Sequence, residues 1–108
     1  MSGTFVVKPS GPEFIFDLKV GGEIILVSER YVRKASALEG VASVRLHAED
    51  DGNFHRRQSI AGEPYFVLKA SNGEVLGTSE MYSSAEAREG GIAAVRRVAA
   101  GAKVYDET

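Results

Sequence analysis

Displaced by 51 positions, the chain matches itself. Ser28-Glu29 falls on Ser79-Glu80, Tyr31 on Tyr82, Gly40 on Gly91, Ala42 on Ala93, Val44-Arg45 on Val95-Arg96 and Ala48 on Ala99, eight identities within residues 28–48. Upstream the offset becomes 50, and Glu13, Phe16, Leu18 and Lys19 fall on Glu63, Phe66, Leu68 and Lys69. A repeated supersecondary unit cannot bury its apolar face alone and uses its neighbour to do so. A chain of 108 residues has room for two such units around one core. The expected organisation is one domain over residues 1–108, with repeat one at 4–52 and repeat two at 53–108.

Each unit reads the same way. A short extended piece opens it, Thr4–Lys8 and then Asn53–Gln58. Two strands of alternating apolar and polar residues follow, Glu13–Val20 with Glu23–Ser28, then Pro64–Ala70 with Glu74–Ser79. The change of offset lies in the turns. Gly21-Gly22 suits a two-residue hairpin loop, and Ser71-Asn72-Gly73 suits a three-residue loop with glycine left-handed. That pairing sets Leu18 opposite Ile25 and Leu68 opposite Leu76. A helix comes next. Ser83 and Glu86 form a capping box before Ile92, Val95 and Ala99. Leu38, Val41, Val44 and Ala48 form the matching stripe in repeat one, where Val32 and Arg33 offer no cap and predict a ragged start. Gly40 and Gly91 sit in mid-helix at a cost of ~1 kcal/mol against alanine. The same cost at the same place in both copies predicts a close approach of helix to sheet. Asn53–His55 aligns with Val104–Asp106 in a last strand, Lys103–Asp106, so the middle strand is expected to end one unit and begin the next. The expected fold is α+β: two tandem β-β-β-α-β units share a single, mainly antiparallel, seven-stranded sheet, with two helices on one face and pseudo-twofold symmetry.

The stretches LKASNGEVLGTSEMYSS and GIAAV, with LKVGGEII, SERY and GVASV in the first copy, resemble the signature of the YegP-like family, also called DUF1508 or UPF0339. The resemblance spans essentially the whole chain. It implies tandem units in one sheet with C-terminal strands exchanged between them. Single-unit members form this arrangement as a dimer, so a two-unit chain is a monomeric, covalent pseudo-dimer. The family brings no established activity with it.

Composition narrows the function. Apolar residues at 44% and charged residues at 26% predict a folded globular domain. A net charge of −2 supplies no large positive field for nucleic acid or an anionic membrane. No cysteine is present, which removes disulfides and thiolate chemistry and suits the cytoplasm. No signal peptide and no membrane-spanning run is visible. His47 and His55 show no metal-ligand spacing, and Glu49-Asp50-Asp51-Gly52-Asn53 lacks the alternation of an EF-hand loop, so neither metal nor cofactor is expected. The repeated Ser28-Glu29 and Ser79-Glu80 have no repeated histidine or lysine to act as base, and they read as organisers of the strand-to-helix corner. Gly21-Gly22 and Gly90-Gly91 make no phosphate-binding loop. No catalytic residues are assigned, and no enzyme is expected.

Two helices cover one face of a seven-stranded sheet. On the expected register Phe16, Leu18, Ile25 and Val27 face the helices, and Ile15, Ile24, Leu26, Tyr65, Val67 and Val75 face away, with Asp17, Lys19, Ser28, Lys69 and Ser79. Contiguous exposed apolar area marks contact with a partner; a strongly curved sheet that shelters these residues is the competing reading. The expected function is a non-catalytic interaction module that takes a protein partner on this face. The alternative is a nucleic-acid binder using Arg30, Arg33, Arg56, Arg57, Arg96 and Arg97, although aromatic residues do not interleave with those arginines in the sequence.

Overall fold

The computed structural model describes residues 2–108. Strands β1 (Gly3–Ser10), β2 (Glu13–Val20) and β3 (Glu23–Ser28) lead into helix α1 (Lys34–His47). Strands β4 (Phe54–Gln58), β5 (Pro64–Lys69) and β6 (Val75–Thr78) lead into helix α2 (Ala85–Val98), and β7 (Lys103–Asp106) closes the chain. All seven strands form one sheet in the order β4-β5-β6-β3-β2-β1-β7. Every pairing is antiparallel except that of β1 with β7.

The twofold axis can be placed on one residue pair. Val27 and Thr78 are equivalents at the 51-residue offset, and they sit opposite one another where β3 meets β6. The axis therefore passes between them, normal to the sheet. It relates β2 to β5 and β1 to β4, because Phe54 faces Leu68 as Phe5 faces Leu18. The middle strand thus opens repeat two. It does not close repeat one as β7 closes repeat two, and β7 runs beside β1 with no twofold mate. At the free edge of β4, Arg56 stands where β1 has Val7, and its guanidinium is held by Asp51 at 3.0 Å and Glu89 at 2.8 Å. A charged pair of this kind blunts an edge that nothing covers.

Each hairpin carries a bulge at the same place. The register steps between Leu18 and Lys19, and again between Leu68 and Lys69. Leu18 therefore faces Leu26 and Leu68 faces Gly77, and the expected partners Ile25 and Leu76 are the extra, unpaired residues. A bulge inserts one residue and reverses the side on which all later ones point. Leu26 thus turns to the helices and is fully buried, while Val27 turns to the open face. Both are corrections to the alternation expected from an unbroken strand. Leu26 and Gly77 are also twofold equivalents next to the axis. A Cβ on Gly77 would lie 2.6 Å from Leu26 Cγ, so one leucine fills the space that two cannot share.

The core lies between the sheet and the helices. Phe5, Phe16, Leu18, Leu26, Phe66 and Leu68 are completely buried in it, and each is worth roughly 1.5–3 kcal/mol of transfer free energy. Helix α1 packs on β2 and reaches β5 and β6, and α2 packs on β5 and reaches β2 and β3, so each helix covers both repeats. In α1 the buried stripe is Ala37, Gly40, Val41 and Val44, ending in Ala48; Leu38 is 40% exposed and lies outside it. Arg33 precedes α1 without a side-chain cap, as expected. Helix α2 begins one residue later than expected. Ser84, not Ser83, accepts from the Ala87 amide at 3.0 Å, and Glu86 sits in the first turn, where the helix dipole favours it.

Candidate interaction surface

The unpaired residue in each bulge leaves a set of side chains on the face away from the helices, and the register identifies it. Across the middle runs His55–Val67–Thr78–Val27–Asp17–Val6–Tyr105, one residue from each strand. Val6, Asp17 and Val67 are almost inaccessible, so they form a floor rather than a contact surface. For Val67, as for Leu26, this corrects its expected place among the contact residues: the neighbouring rows shelter it.

Those neighbouring rows follow one pattern. Lys8 faces Ile15, Arg57 faces Tyr65, Lys19 faces Ile24 and Lys69 faces Val75. Each pair is a cation beside an apolar residue, and the twofold axis exchanges Lys8–Ile15 with Arg57–Tyr65 and Lys19–Ile24 with Lys69–Val75. Ile15, Ile24, Tyr65 and Val75 are all half-buried, with part of each side chain open to solvent. Lys103 extends the set along β7, where Tyr105 is 62% exposed. The strands place five cations on this face, and Arg30 adds a sixth beside Ile15. Its carboxylates include Glu13 and Asp17, with Glu29 beside Ile15 and Glu80 beside Ile24. Asp17 is 2% exposed, and Lys8 Nζ approaches its Oδ2 at 2.6 Å, outside hydrogen-bonding geometry, which leaves that oxygen without a hydrogen-bond donor.

The arginines do not converge as a group. Arg30 donates to Ser10 Oγ at 2.6 Å, Arg56 is held by Asp51 and Glu89, and Arg96 donates to the Glu49 carbonyl at 3.2 Å. Those two carboxylates in turn keep the Arg56 guanidinium protonated beyond its ordinary range, while hydrogen bonds from Arg56 lower the pKa values of Asp51 and Glu89. Arg33 lies at the start of α1 and Arg97 in the last turn of α2, on the helix layer; Arg57 belongs to the open face, and Arg30 lines a depression there with Ile15 and Val27.

The repeated serine corner is structural. Ser28 Oγ accepts from the Phe16 amide at 2.8 Å and donates to the Glu29 carbonyl at 2.7 Å; Ser79 does the same with Phe66 at 2.9 Å and Glu80 at 2.8 Å. Each hydroxyl thus replaces a missing rung of the ladder. Two equivalent clefts lie on the helix side. One, of about 460 Å³, is lined by Ile25, Tyr82, Gly91 and Arg97, and the other, of about 480 Å³, by Tyr31, Gly40, Glu74 and Leu76. Burial raises the pKa of both tyrosines, reinforced by Glu74 and Glu29 at Tyr31 and by Glu23 and Glu80 at Tyr82. Among the described residues no group of three or more histidines and carboxylates is placed to hold a metal ion, and no helix is long and apolar enough to cross a membrane.

The fold and this surface define a class: a small α+β protein in which two tandem repeats make one sheet, helices on one side and an uncovered face on the other. The chain belongs to the DUF1508 family, a domain of unknown function, whose pattern matches residues 10–54 and again residues 59–106. It is 50% identical to a UPF0339 protein of Bordetella pertussis, covering all of this chain and 98% of that one. It is 42% identical to the UPF0339 protein YegP of Escherichia coli, with both chains covered completely. The solution structure of Escherichia coli YegP, described as a protein of unknown function, superposes with a TM-score of 0.93 over all of this chain and 95% of that one, at 42% identity. A UPF0339 protein of Shewanella oneidensis gives a TM-score of 0.92 over 98% of this chain and 92% of that one, at 37% identity.

Two features of the surface escaped sequence reasoning. Grouping basic residues by nearness in sequence put Arg30 with Arg33 and Arg56 with Arg57, whereas the sheet sorts them by alternation. Alternation from Ile15 and Tyr65 placed Lys19 and Lys69 on this face; Lys8 and Arg57, on the adjoining strands, complete the set. Of the two bulges, only the second has a sequence signal, the in-strand Gly77 beside Leu76.

Proposed function

We propose that this protein is a non-catalytic interaction module that holds a protein partner on the open face of its sheet, in the cytoplasm. The observation that supports it is the fourfold pairing of a cation with a half-buried apolar residue on a face that no helix covers. Apolar residues set among polar ones on an exposed patch are the usual composition of a protein contact. The non-catalytic part of the reading is supported by Ser28 and Ser79, whose hydroxyls are spent on backbone groups.

The test is photo-cross-linking in cell extract with benzoylphenylalanine in place of Ile24, and with Ala42 on the exposed side of α1 as the control position. The reading expects a nuclease-resistant protein adduct at residue 24 and none at residue 42. Adducts of equal yield at both positions would refute it. A second reading, nucleic-acid binding, is favoured by one observation: Tyr65 and Tyr105 share the face with cations, the composition of a stacking platform. Adducts at residue 24 that nuclease removes would select that reading instead.

A further inference from the structure

The four cation–apolar pairs are not spread evenly. Following the register outward from the central row in one direction gives Lys8 on β1, Ile15 on β2, Val75 on β6 and Lys69 on β5. In the other direction it gives Arg57 on β4, Tyr65 on β5, Ile24 on β3 and Lys19 on β2. Each end of the face therefore carries two apolar side chains bracketed by two cations, and the twofold axis exchanges the ends. The separation between Ile24 and Val75, counted along the strands, is roughly 15–20 Å. Building on the protein-binding reading above, we infer that these are two equivalent half-sites for an acidic protein partner, one that presents carboxylates around aliphatic side chains.

Two observations favour that occupant over nucleic acid. Three of the four apolar residues are aliphatic, and an aliphatic chain offers no ring on which a base can stack. Three of the four bracketing cations are lysines, which act as compact point charges suited to single carboxylates, where arginine would grip phosphates bidentately. Glu29 lines the surface depression beside Ile15, and Glu80 lines the one beside Ile24, so the partner's carboxylates meet the bracketing cations at the outer ends of each half-site rather than its middle.

The experiment maps amide chemical shifts of the full chain on addition of a synthetic peptide of alternating leucine and glutamate. Peptides of alternating leucine and lysine, and of alternating serine and glutamate, are run beside it with an oligothymidylate. The leucine–glutamate peptide is expected to shift Lys19, Ile24, Lys69 and Val75 and to leave α1 and α2 unmoved. Lys19→Gln/Lys69→Gln should weaken it about tenfold; Arg33→Glu on the helix layer, which alters net charge equally, should not. Tighter binding of oligothymidylate or of the leucine–lysine peptide overturns the inference, as do shifts confined to the helices. If the peptide does not bind but the Ile24 cross-link still captures protein, the interaction function stands and the acidic partner is wrong. If neither occurs, both fail.

Discussion

Gly40 and Gly91 make the contact between helix and sheet at the scale of single atoms. A Cβ on Gly91 would crowd Tyr82 Oη, with Tyr82 Cζ at 2.6 Å and Phe66 Cε2 at 3.2 Å; on Gly40 it would meet Tyr31 Oη at 2.5 Å and Phe16 Cε2 at 2.9 Å. The tyrosine ring cannot yield easily, because each is stacked on its phenylalanine, with centroids 6.2 Å apart. Gly91→Ala should therefore lower stability by about 1–3 kcal/mol, despite a gain of ~1 kcal/mol in helix propensity. Chemical denaturation measures it, and an unchanged or raised midpoint would remove the contact from the account. The same two tyrosines predict a pH dependence. Burial, then nearby glutamates, raises their pKa values above the ordinary 10 in the folded protein. The unfolded chain therefore ionises first. The stability they contribute is complete below pH 10 and falls as pH rises through the folded values. Melting curves at increasing pH should show this decline, and Tyr31→Phe/Tyr82→Phe should flatten it; a decline unaltered in that variant would assign it to other groups. Both glycines and both tyrosines were legible in the sequence because they repeat. Their mutual contact was not, because the helix was expected to meet the sheet rather than a ring standing on it.

Among the elements, the hairpins carry most of what differs from expectation. Alternation and the repeat together located all seven strands, β2, β3 and β7 with their bounds unchanged. It failed at Ile25 and Leu76, where a bulge adds a residue; Gly77 marks the second bulge, and nothing in the sequence marks the first. Leu26 consequently moved from the candidate contact surface into the core, and Val27 moved the other way. The asymmetry of Leu26 and Gly77 has a physical reason that the repeat alone hid: positions next to a twofold axis meet their own copies. Gly77→Leu should be destabilising through the 2.6 Å clash, and Leu26→Gly should cost about 2–5 kcal/mol by opening a cavity. The double variant moves the leucine to the equivalent site and should recover part of both losses. Strict additivity of the two single effects would show that the leucines do not compete for one space.

Across the whole molecule, the sheet separates two chemistries. One face is sealed by helices that each span both repeats. The other bears a buried floor and two apolar pairs bracketed by cations, with a glutamate beside each pair. The fold was legible because its repeats announce themselves. The surface was only half legible, since a face is a property of register and the register contains two bulges, of which only the one beside Gly77 carries a sequence mark. The account depends on Ile24 and Val75 forming a contact surface rather than a second, sheltered core. The direct measurement is the melting temperature of Ile24→Lys/Val75→Lys together with retention of protein partners from cell extract at high salt. A surface predicts a small stability change, within about 1 kcal/mol, and loss of the partners that wild type retains. A cooperative transition lost or lowered by many degrees would show that the face is core, and full retention of partners by a stable variant would show that they bind elsewhere.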